Sequence, residues 1–117
     1  MKARRALRKI PTPVPGLPFV TLYQDTWADH IIKQHVYMAG KETLVETTVT
    51  NPTVVVPGTS NPDYVVFVNH QETSSQGSPL TVIIDPRDQV ICTALYNKTF
   101  RVISPDQEVV WLPPDKK

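Results

Sequence analysis

Four short segments after Pro52, residues 53–56, 64–69, 80–84 and 90–95, are dense in Val, Ile, Thr and Tyr and are separated by turn-forming residues. β-Branched and aromatic side chains fit a pleated, half-buried surface, so this half of the chain predicts four successive strands. Asp85-Pro86-Arg87-Asp88 is short enough to join the third and fourth as a hairpin, with Pro presetting φ and Asp folding back onto its own backbone. Residues 71–79 make a longer polar loop around Ser74, Ser75 and Gly77. Consecutive strands with short connections predict an antiparallel meander. Residues 99–103 and 109–112 can add only a marginal edge strand, because the neighbouring Pro105, Pro113 and Pro114 cannot donate to a ladder.

Ahead of Pro52 the pattern is helical. Asp25 or Thr26 can cap a helix on which Trp27, Ile31, Ile32 and Met38 approximate one apolar face, ending near Gly40. A second helical stretch over 41–50 sets Leu44, Val45 and Thr48 on one side until Asn51-Pro52 stops it. Residues 1–20 carry Pro11, Pro13, Pro15 and Pro18, and predict a basic, proline-rich arm with little regular structure. The expected fold is α+β, with a single domain over 21–117. Two N-terminal helices pack on a four-stranded antiparallel sheet whose other face is partly wet and open to a ligand.

Length and charge bound the function. A chain of 117 residues is the size of one domain, and nowhere does it approach the roughly 18–20 consecutive apolar residues of a membrane span. The N-terminus lacks the apolar core of a secretory signal, and Cys92 is the sole cysteine, so a reduced, cytoplasmic setting is the simplest expectation. Met1 fits a free-standing product. Lys2, Arg4, Arg5, Arg8 and Lys9 place five of the twelve basic side chains in the first ten residues, with no acid among them. The remainder is left with seven basic residues against eleven acidic ones. Such a basic cluster can hold a polyanion, or can be a solvated tail.

His30, Lys33 and His35 gather on the first helix more proton-handling groups than any other segment offers. His30 and Lys33 are neighbours on an α-helix, whereas His30 and His35 are about 140° apart, so one imidazole acts and the other orients or packs. The alternative reading of either histidine is a packed structural residue. A zinc site with His70 as third ligand is disfavoured by this spacing and by the lack of a completing Cys or carboxylate set. No G-x-S-x-G elbow and no glycine-rich phosphate loop occurs. What these residues suit is cofactor-free acid–base cleavage of RNA, which carries its own 2′-hydroxyl nucleophile. On the fourth strand and its exit, Thr93 and Tyr96 can donate to phosphate, Tyr96 can stack a base, and Lys98 and Arg101 can hold the backbone. Their alternative is that Thr and Tyr are simply good strand formers.

The run Trp27-Ala-Asp-His30-Ile31-Ile-Lys33-Gln-His35, the later Thr50-Asn51-Pro52, a strand ending at Asp85, and Thr93-Ala94-Leu95-Tyr96 together resemble the phage-type nucleases of the barnase–EndoU–colicin E5/D–RelE superfamily. Those proteins show an H-I-x-x-x-H-P helix, an N-P-D-like turn and a T-A-Y strand. The resemblance spans about residues 25–100. It implies two helices on a four-stranded antiparallel sheet and metal-independent endoribonuclease activity, with His30 and His35 matching the helix motif and Thr93 the strand motif. Val36 stands where the family has proline, and Leu95 separates Ala94 from Tyr96. The implied function is a small RNase of phage or toxin kind. His30 is its general base or acid, Lys33 its phosphate-stabilising cation, and His35 and Thr93 support them. Tyr96, Lys98, Arg101, Arg4 and Arg5 bind substrate. RNA would be its substrate, and a protein inhibitor or antitoxin its partner. The competing functions are a non-catalytic RNA- or protein-binding module and an immunity or regulatory protein.

Overall fold

The computed structural model describes residues 4–114, so Lys2 of the basic cluster lies outside the described residues. The sheet has six strands and is mixed, which corrects the expected four-stranded antiparallel meander carrying two N-terminal helices. In chain order they are β1 (Ala6–Pro11), β2 (Phe19–Tyr23), β3 (Val54–Pro57), β4 (Val65–Thr73), β5 (Pro79–Asp85) and β6 (Val90–Tyr96). They lie side by side as β1-β2-β6-β5-β4-β3. The four expected strands do form a meander, but a hairpin from the expected arm extends it, and β2 meets β6 in parallel.

The prolines build that hairpin. Leu17 N–H bonds Val14 O at 3.1 Å, closing a turn with Pro15 and Gly16 at its centre and Gly16 at φ 84°. Pro followed by a positive-φ glycine is the chemistry of a type II turn. Pro11 is tolerated because it ends β1, an edge strand where its missing N–H interrupts no ladder. Ile10 pairs with Val20 and both are fully buried. β2 is held to the end of β6 by few bonds: Thr21 N–H donates to Gln89 O at 2.9 Å, and Gln89 Nε2 donates to Phe19 O at 3.0 Å. Both keep Gln89 at φ 58°, a left-handed conformation that costs a non-glycine residue about 1–2 kcal/mol.

The helical segment is shorter and less regular than expected. Asp25 caps it by accepting the Thr26 N–H at 2.9 Å. A wide π turn, Thr26–Ile31, runs into one α turn, α1 (Ile32–Gln34), and then a 3₁₀ turn, Val36–Met38. α2 (Glu42–Thr50) follows and packs on β4, β5 and β1. Trp27, Ile31, Met38, Val45 and Val49 are buried against Val55, Phe67, Val82 and Ile84. No helix among the described residues is long and apolar enough to cross a membrane.

The other sheet face is less open than expected. Val54, Val56, Val66 and Val68 are buried there beneath Phe100, with Ile103 beside them. His70 Nε2, 2.8 Å from Phe100 O, fastens this C-terminal segment. In place of an edge strand at 109–112 there is a single bridge, Val55 to Trp111.

One irregularity in β6 positions the chemistry. Ile84 pairs with Ile91 and Ile83 with Thr93, leaving Cys92 as an extra residue, a β-bulge. Side chains alternate along a strand, so without the bulge Thr93 would share the core face with Ile91. With it, Ile91, Ala94 and Tyr96 face the helices, and Thr93 faces the other way beside Val66 and Ile83.

Candidate functional site

Two clefts flank the C-terminal half of β6. The first, about 440 Å³, lies where Tyr37 and Lys41 meet Glu72, the loop serines Ser74 and Ser78, and Tyr96. Glu72 reaches it because β4 runs to Thr73, four residues beyond the strand expected from sequence. Lys41 Nζ donates to Tyr96 Oη at 3.1 Å, and that phenol donates to Glu72 Oε2 at 2.9 Å. The rings of Tyr37 and Tyr96 stack obliquely at 5.5 Å, and the Lys41 ammonium sits 4.7 Å from the Tyr96 centroid. Burial holds the Tyr96 phenol above its ordinary range; the Lys41 bond opposes this, and donation to Glu72 adds to it. At neutral pH the phenol keeps its proton.

His35 stands behind this cleft, its Nδ1 3.4 Å from Tyr37 Oη. Loss of hydration, and secondarily the charge of His30, holds the imidazole below the usual 6.5. His35 therefore senses His30, although α-helical spacing would separate them. The π turn is the reason: Ile32 N–H bonds Trp27 O five residues back, and His35 leaves the helix at φ −132°, ψ 76°. Replacing His30 by Gln removes the second of these influences, and an NMR titration should then find the His35 pKa raised.

The second cleft, about 260 Å³, brings together His30, Thr93, Asn61, Tyr64 and Asn97. Thr93 Oγ1 is the one buried side-chain polar atom among the described residues without a hydrogen-bond partner. The loop forming one wall is tight. Gly58 N–H bonds Tyr64 O at 2.9 Å, and a Cβ on Gly58 would come within 2.4 Å of Asn61 O. Gly58→Ala must push this wall aside, with an expected cost of about 1–3 kcal/mol, measured as a lower urea midpoint.

The residues expected to act together are thus divided. His30 and Thr93 share the second cleft, His35 backs the first through Tyr37, and exposed Lys33 lines neither. Tyr96 is in the first cleft, and Arg101 Nη2 lies 3.4 Å from Ser78 Oγ at its rim, while Lys98 is exposed on a 3₁₀ turn. The described members of the basic cluster lie at the surface, most of them engaged by neighbouring side chains. Arg4 grips Asp25 at 3.0 Å and lies over Tyr23, Arg8 pairs with Glu46, and Lys9 covers Phe19, while Arg5 is exposed. Cys92 is half-buried, and burial, then the Asp85 charge, pushes its thiol pKa up. Tyr37, Lys41 and Glu72 carry no sequence signal, since nothing local distinguishes them from other surface groups. Among the described residues no three His, Cys, Asp or Glu side chains gather as a metal-ligating group. No protein-family model, curated protein or solved structure matches this chain.

Proposed function

We propose that this protein is an endoribonuclease that uses the RNA 2′-hydroxyl as nucleophile and works in the first cleft. The observation carrying this reading is the hydrogen-bonded row Lys41–Tyr96–Glu72 beneath two tyrosine faces, with His35 adjoining through Tyr37. A base stacks on the tyrosines. The Glu72 carboxylate takes the 2′-hydroxyl proton as the oxygen attacks phosphorus. The Lys41 ammonium and the serine hydroxyls stabilise the charge that builds on the non-bridging oxygens. The His35–Tyr37 pair returns a proton to the departing 5′-oxygen, leaving a 2′,3′-cyclic phosphate and a 5′-hydroxyl. The motif resemblance at His30, His35 and Thr93 points to the same chemistry, with the base reassigned to Glu72.

The test is direct. Purified protein incubated with RNA in excess chelator is expected to yield 2′,3′-cyclic phosphate ends, with kcat/KM falling as pH rises through the depressed His35 pKa, below 6.5. RNA left intact across pH 5 to 8, with the protein folded, would falsify the proposal.

A further inference from the structure

The second cleft differs in kind from the first. Val66, Ile83 and Phe100 make its walls mostly apolar and Tyr64 adds an aromatic face, so it suits a flat heterocycle better than a phosphate. Its polar groups are preset. Asn61 Oδ1 accepts the backbone N–H of Asp63 at 3.0 Å, and Asn97 Oδ1 accepts that of Thr99 at 3.0 Å. A backbone N–H only donates, so each amide is fixed with its oxygen toward the chain and its NH2 as the remaining donor. Beside them is the unpartnered, buried Thr93 hydroxyl.

We propose that this cleft is a subsite for a keto nucleobase, uracil or guanine, of the RNA strand cut in the first cleft; the strand's course rests on the reading above. Uracil O4 and guanine O6 accept hydrogen bonds where cytosine and adenine present an amino donor. Amide NH2 groups held in place therefore favour the first pair and leave donor facing donor with the second. The geometry allows one strand to reach both clefts. The helical stretch supplies His30 to one and Tyr37 to the other, with exposed Lys33 between them in sequence to meet a phosphate. Thr93 and Tyr96 lie about 10 Å apart along β6, at roughly 3.3 Å per residue, but on opposite faces of the sheet, so the RNA strand joining the clefts must pass around the helical stretch that carries His30, Lys33 and Tyr37.

Titration of ¹⁵N-labelled protein with UMP, GMP, CMP and AMP in chelator, read at the side-chain NH2 signals of Asn61 and Asn97, tests this. UMP and GMP are expected to shift both signals at concentrations at least about tenfold below those needed for CMP and AMP. Asn97→Asp keeps the acceptor for the Thr99 N–H but removes the donors. It should weaken UMP by about tenfold or more while leaving Tm unchanged. Equal response to all four nucleotides, or UMP affinity untouched in N97D, overturns the subsite. If the amide signals respond as expected but RNA stays intact, the subsite stands and the catalytic reading falls. If RNA is cut while those signals stay still, the reverse holds.

Discussion

Glu72→Gln should reduce RNA cleavage by about 10²–10⁴-fold, the range a positioned general base contributes, or roughly 3–5 kcal/mol of transition-state stabilisation. The substitution is nearly isosteric and its carbonyl still accepts from Tyr96 Oη, now 2.9 Å from Glu72 Oε2, so the cleft keeps its shape. What is lost is the ability to take a proton near neutral pH. The loss should appear in kcat, with KM little changed, because base stacking on Tyr37 and Tyr96 is undisturbed. Single-turnover assays at saturating RNA measure it. Cleavage by E72Q within threefold of the unmodified protein would place the base elsewhere, with His30 in the neighbouring cleft the next group to test.

Ile10→Ala should cost about 2–5 kcal/mol, as large-to-small substitutions in packed cores do. Ile10 is fully buried and belongs to the main core with Val20, Leu22 and Val45. For a domain whose total stability is about 5–15 kcal/mol, such a loss is a large fraction. Chemical denaturation followed by tryptophan fluorescence reports it, since Trp27 is buried in the same cluster. The result also separates two views of the N-terminus: in a detached arm the same change would leave the midpoint where it was. Arg5→Ala, exposed on the same segment, serves as the neutral control.

Part of the candidate site is legible in the amino-acid sequence. Its cap and apolar spacing mark the segment 25–40 as the carrier of His30, Lys33 and His35, and local composition puts Thr93 and Tyr96 on a strand. Lys41, Glu72 and Tyr37 are not legible in this way, because their significance lies in a meeting of the 3₁₀ turn, the start of α2, β4 and β6 that no local pattern encodes. The proline-rich stretch misleads for a related reason. Proline count alone predicts an arm, yet Pro15-Gly16 is also a tight turn, and the apolar Ile10 and Val20 on either side can pair only once it has formed.

Composition and periodicity by themselves determined the helical segment before Pro52, the four strands after it, their antiparallel succession and the hairpin at 85–88, since each rests on interactions between near neighbours. Tertiary structure alone decided that residues 6–11 and 19–23 join the sheet, that Phe100 folds over its second face, and that the bulge at Cys92 turns Tyr96 toward the helices and Thr93 away from them. The physical reason is the two-residue repeat of a strand: one extra residue reverses the side-chain alternation beyond it, and whether a residue is accommodated that way is settled by the packing of neighbouring strands, over distances the local sequence does not span.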